Sequence, residues 1–149
     1  MRLRVTNLVS ILSLFLALLL CSCSGQKVEK STPVISKGDY SFIMYDSNNV
    51  KIAEGIFDIE KYEGEVISGK YNFTKVITEF EGYGNMRGGN FTGSINEKEK
   101  MLLVNTNPGQ ADRNVFFNLN IRKSPVEGTW YYTGFRQAAK YSRIKLTKK

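Results

Sequence analysis

The sequence predicts an all-β domain: an antiparallel up-and-down meander barrel of eight or nine strands, preceded by an N-terminal signal helix. Three observations carry that prediction. Beyond Gly38 the apolar residues recur with period two, and no stretch sustains a 3.6-residue apolar stripe. Clusters of turn-forming residues break the alternation at intervals of roughly a dozen residues. Strands joined by such short turns pair in sequence, and a meander of this length removes its exposed edges by closing on itself. A two-sheet sandwich is the alternative.

The strands follow in order. Asp39–Tyr45 sets Tyr40, Phe42 and Met44 against Ser41, Ile43 and Tyr45, and Asp46-Ser47-Asn48-Asn49 turns the chain. In Val50–Ile59 the inward set passes from Val50 and Ile52 to Phe57 and Ile59 across Glu54-Gly55, as a bulge requires. Glu65–Thr74 aligns Ile67, Gly69, Tyr71 and Phe73, and Lys75–Phe80 is either a short strand or its continuation. After glycines at 82, 84, 88 and 89, Asn90–Ile95 aligns Phe91, Gly93 and Ile95. Glu97-Lys98-Glu99-Lys100 is a polar hairpin turn into Met101–Asn105, and Asn107-Pro108-Gly109 is another turn. Asn114–Arg122 alternates most clearly, with Val115, Phe117, Leu119 and Ile121 inward, Asn114, Asn118, Asn120 and Arg122 outward, and Phe116 interrupting the polar face. Val126–Gly134 and Lys140–Leu146 complete the set.

Glycine stands two positions ahead of an aromatic in Gly69-Lys70-Tyr71, Gly89-Asn90-Phe91 and Gly128-Thr129-Trp130, hence on the same face. These pairs read as devices that bend the barrel and let a ring pack over a glycine.

The first 22 residues are of a different kind. Arg2 and Arg4 precede the uncharged run Leu8–Leu20, and small residues follow, which is the layout of a secretory signal peptide. The run is too short for a transmembrane helix, which needs about 20 apolar residues. Leu20-Cys21-Ser22-Cys23 resembles the lipobox of bacterial lipoproteins. The resemblance implies a diacylglycerol thioether on Cys23, cleavage before it, acylation of the new amino terminus, and residence in the bacterial cell envelope on a membrane. Ser24 behind that cysteine is compatible with the outer membrane of a diderm cell. Ordinary secretory cleavage at Ser22 or Ser24, or lipidation of Cys21, are the competing readings. One acyl chain holds marginally and two or more hold firmly, so a lipoprotein needs nothing from its folded part to stay in place. Ser24 to Lys37 reads as a flexible tether, and 38–149 as the domain.

Removing the signal leaves 127 of the 149 residues, enough for one domain. Both cysteines lie at the processing site, so the folded domain has no disulfide. The chain has no histidine, which excludes Ser-His-Asp and Cys-His catalysis and His-ligated zinc or copper. Paired-carboxylate hydrolysis survives as a chemical option, but the acids, such as Glu60, Glu63, Glu65, Glu97 and Glu99, fall in turns or at alternating polar positions. No catalysis, no metal and no cofactor are expected. The signal contains two of the 21 basic residues and none of the 14 acidic ones, so the net charge of +7 becomes +5 after its removal. Beyond Glu127 all charged residues are basic. Arg136, Lys140 and Arg143 are candidates for contact with an anionic surface. Export excludes nucleic acid as a partner.

Two further resemblances bear on function. Gly128-Thr129-Trp130-Tyr131-Tyr132 is similar to the Gly-x-Trp piece of the lipocalin and avidin group, which implies a ligand-binding barrel. In those families the piece lies on the first strand and here it lies near the last, so no binding residue carries over. Ser68-Gly69-Lys70-Tyr71 is similar to part of the inhibitory loop of lipid-anchored lysozyme inhibitors, without the rest of that motif or its cysteines. An eight-stranded barrel is either filled by side chains or holds one small ligand. The candidate lining for a small apolar ligand is Tyr71, Phe73, Phe91, Phe117, Trp130 and Tyr132. The alternative is an interaction protein that meets an envelope partner through Phe116, Tyr131 and Tyr141 on its outer surface.

Overall fold

Period-two alternation becomes eight antiparallel strands in the computed structural model, which describes residues 34–86, 88–110, 112–134 and 141–149. The predicted signal helix, the lipobox with Cys23 and most of the predicted tether lie outside these residues. The strands are β1 (Gly38–Tyr45), β2 (Lys51–Glu63), β3 (Val66–Val76), β4 (Gly89–Asn96), β5 (Met101–Asn105), β6 (Asn114–Asn120), β7 (Val126–Thr133) and β8 (Tyr141–Lys148). Each pairs with the next in sequence, and β1 pairs with β8 through Tyr40↔Lys148 to Met44↔Ile144. The sheet is therefore a closed up-and-down barrel and not a sandwich. Among the described strands, closure gives every strand a partner on both sides.

The turns are built by short polar side chains that replace backbone partners. Asp46 Oδ1 accepts from the amides of Asn48 and Val50 at 2.9 and 2.8 Å. Asn96 Oδ1 does the same for Lys98 and Glu99 at 3.1 and 3.2 Å. Such side-chain mimics of a backbone turn explain why Asp and Asn close these hairpins.

The inward faces fill the barrel. Tyr40, Phe42, Met44, Phe57, Ile59, Ile67, Phe91, Leu102, Val104, Phe117, Leu119, Ile144 and Leu146 are buried. Phe57 and Phe91 stack at 3.8 Å between centroids, and Phe117 lies 6.2 Å from Phe57 and 6.3 Å from Phe42. Ile35, ahead of β1, is also buried, and the neighbouring Ser36 amide donates to the Tyr40 hydroxyl at 3.0 Å. The folded part thus takes in residues before Gly38.

Three details differ from the expectation. The inward parity of β2 changes at Ile52–Ala53, both buried, where the register with β1 slips so that Tyr45 faces Lys51 and Met44 faces Ala53. Val50 lies ahead of that bulge and is exposed, not inward. The slip expected at Glu54-Gly55 exists against β3, but its extra residue is Thr74 on β3. Asn114 is buried rather than outward, because its Nδ2 donates to the Gln110 carbonyl at 2.6 Å. Finally, the glycine of Gly128-Thr129-Trp130 does not make room for a ring. A Cβ there would lie 2.0 Å from the Asn118 carbonyl oxygen of β6, so the glycine permits close approach of two backbones.

Candidate functional site

Strand direction sorts the loops onto two ends. The chain enters at Gly38, so the β1–β2 turn and the loops after β3 and β5 share the far end. There the loop after β3 folds across the mouth. The Ile52 carbonyl accepts from the amides of Ile77 and Thr78 at 2.7 and 3.2 Å, which pins the start of the loop. The same residue is the one bulged out of register with β1, so one irregularity fixes both strand and loop.

The loop then lays Phe80 edge-on against Trp130, with centroids 5.2 Å apart and planes at 63°, and against Phe73 at 6.0 Å. Gly82 sits at φ +87°, a left-handed conformation that favours glycine. A Cβ on it would come within 2.5 Å of the Tyr132 ring and 2.8 Å of Val115. One 3-10 turn, Tyr83–Asn85, and the buried Met86 complete the cover. Trp130, itself buried, donates its indole Nε1–H to the Tyr45 carbonyl at 2.8 Å and so holds a fixed orientation.

Between this loop, the β1–β2 turn and the inner faces of β7 and β8 lies a cleft of about 260 Å3. Its walls are Ile52, Phe80, Trp130 and Tyr132; Ser47, Thr78 and Ser142 supply hydroxyls; Asp46, Glu79 and Glu81 supply carboxylates. Two depressions of about 400 Å3 on the outer wall, one by Met101, Leu103 and Tyr131 and one by Asp58, Lys70 and Gly89, are surface hollows between strands. Only the mouth cleft among these brings three rings and several loops to one place.

The six predicted lining residues separate into two groups. Phe91 and Phe117 are fully buried in the packed interior, and Tyr71 is buried beside Phe73, 6.3 Å away at nearly right angles. Trp130 and Tyr132 line the cleft, and Phe73 reaches it only through Phe80. Of the predicted anionic-surface contacts, Arg143 lies with its guanidinium 4.0 Å over the Tyr45 ring; Arg136 and Lys140 lie outside the described residues. On the outer wall Phe116 stacks on Tyr131 at 5.5 Å and 18°. The side chain of Tyr141 is not among those described.

Sequence reasoning missed Phe80 and the acids on either side of it, as well as Ile52. The signal was present in Glu79-Phe80-Glu81, a ring between two carboxylates that the period-two pattern of β3 does not absorb. Among the described residues no three of Cys, Asp and Glu come together as metal ligands.

Burial raises the pKa of the Tyr71 phenol above its usual 10.0, against opposing hydrogen bonds from Thr106 and the Gly88 backbone. Tyr62 rises by burial and by the nearby Glu97 carboxylate. On the outer wall the Lys51 ammonium lowers Glu54, and the Glu60 carboxylate, 2.9 Å away, raises Lys70. Comparison with family models, with curated proteins and with solved structures finds no match for this chain.

Proposed function

We propose that this is a lipid-anchored protein of the bacterial envelope whose barrel binds a small, largely apolar ligand in the mouth cleft and catalyses no reaction. The observation that carries the reading is the contrast between a filled interior and one open, aromatic-walled cleft beside Trp130. Among the described residues, Phe57 and Phe91 stack at 3.8 Å with Phe117 packed beside them, so these rings occupy the middle of the barrel. The lipobox at Leu20–Cys23 supports the anchor.

The test is native mass spectrometry of the protein extracted from its own membrane in mild detergent, paired with NMR of the Trp130 indole. A co-purifying small molecule whose removal shifts that resonance is the expected result. A ligand-free mass, with no shift on adding envelope extract, counts against the reading.

A second reading, an interaction or inhibitor-type lipoprotein acting through its outer wall, is favoured by one observation. From β4 to β6 every outward side chain is uncharged: Asn90, Thr92, Ser94 and Asn96, then Met101, Leu103 and Asn105, then Phe116, Asn118 and Asn120. Leu103 is 40% exposed at its centre. Interface cores are depleted of charge and enriched in aromatic residues and Met. A Leu103→Glu variant that stays folded and loses a crosslinked envelope partner supports this reading; identical crosslinking by variant and wild type removes it.

A further inference from the structure

Charge at the mouth cleft runs against that of the molecule. The chain is +7 overall, yet among the described residues those lining the cleft include Asp46, Glu79 and Glu81 and no lysine or arginine. None of these three acids forms an ion pair with a described residue. Asp46 is held on the rim by the two amides its Oδ1 accepts. Carboxylates gathered with no counter-charge among the described residues favour a cationic visitor.

The walls reach the same chemistry independently. Phe80, Trp130 and Tyr132 present ring surfaces, and the face of an aromatic ring carries negative potential that attracts an ammonium group. The strongest such site is tryptophan, and Trp130 is fixed by its bond to Tyr45. An inorganic cation has no alkyl surface to bury against apolar walls. A neutral hydrocarbon gains nothing from the three acids. An organic ammonium ion uses both.

We propose that the cleft takes a small organic ammonium ion, its nitrogen among Asp46, Glu79 and Glu81 and its alkyl groups against Phe80, Trp130 and Tyr132. The inference rests on the cleft being a binding site and names the class of ligand it holds. A volume of about 260 Å3 lies below the roughly 300–1,000 Å3 of sites for drug-sized molecules, so it suits a headgroup-sized cation and not a whole lipid.

The chain has one tryptophan, so intrinsic fluorescence reads the cleft directly. The experiment titrates the full chain with choline and with its uncharged isostere 3,3-dimethyl-1-butanol, by fluorescence and by calorimetry. Choline is expected to shift the Trp130 emission and to bind at least about tenfold more tightly than the isostere, or about 1.4 kcal/mol. In a Glu79→Gln/Glu81→Gln variant, altered only at two exposed positions, that preference shrinks about tenfold, and added salt weakens it in the wild type. Phosphatidylcholine vesicles that displace choline place the cation on a lipid headgroup; vesicles that fail to displace it leave a free solute as the source.

Equal binding of the two probes, or a choline preference untouched by the double variant, overturns the ammonium assignment and leaves the cleft as a site for neutral ligands. Absence of binding by both probes overturns the cleft reading and the assignment with it.

Discussion

The indole of Trp130 on β7 donates to the carbonyl of Tyr45 at the end of β1, at 2.8 Å and across 85 residues of chain. Between these two strands lies β8, so the bond ties the cleft wall to the β1–β2 turn over an intervening strand. Trp130→Phe keeps a ring in place but leaves that carbonyl without its donor. Losing a hydrogen bond at this part-buried carbonyl costs about 0.5–1.5 kcal/mol. The denaturation midpoint should fall by that amount with an unchanged m-value, and an unchanged midpoint would show the bond to be dispensable.

Filling and lining are separable by substitution. Phe91 is sealed inside against Phe57, so Phe91→Ala should lower stability by about 3–5 kcal/mol, the usual range for opening a core cavity of that size. Phe80 is half-buried on the loop, so Phe80→Ala should cost less stability and remove ligand binding. Chemical denaturation and calorimetric titration of the two variants check this; equal stability loss in both would contradict the division between interior and cleft.

The raised pKa of Tyr71 sets a sign for alkaline unfolding. The folded state holds the phenolic proton above pH 10.0, where the unfolded state releases it. The unfolded chain then binds fewer protons, so stability falls as pH rises. This contribution is intact below pH 10.0 and disappears progressively above it. Tyr71→Phe should flatten the slope in that window without abolishing it, because Tyr62 shifts in the same direction. Denaturant titrations between neutral and strongly alkaline pH provide the measurement, and an unchanged slope would assign the proton elsewhere.

The anchor has its own test. Cys23→Ser should abolish the diacylglycerol thioether and the cleavage before residue 23, so mass spectrometry should find the variant without lipid and still carrying Leu8–Leu20. Wild type that carries no lipid on Cys23 would contradict the anchor.

The path around the barrel was legible from alternation and turn spacing because closed sheets have one wet face and one dry face and short turns join neighbouring strands. β6 shows why: Val115, Phe117 and Leu119 are all buried where alternation puts them. Alternation identifies the face of a residue and says nothing about whether the space it faces is full. Phe91 and Trp130 therefore looked equivalent in sequence, although one stacks on Phe57 in the core and the other borders a cleft. The candidate site depends on a bulge at Ile52 and on a loop crossing the mouth. Both are set by hydrogen bonds between residues some 25 apart, Ile77 and Thr78 to Ile52, and period two contains no trace of such pairing. Asn114 was misplaced for a related reason: its burial depends on a carbonyl from the preceding loop.

The most direct measurement of the central claim is the pattern of intermolecular nuclear Overhauser effects from the methyl protons of bound choline. Contacts to the rings of Trp130, Phe80 and Tyr132, with none to Phe57 or Phe91, are the predicted result. Contacts to Phe57 or Phe91, or none to Trp130, would contradict the claim that the ligand rests in the mouth of a filled barrel.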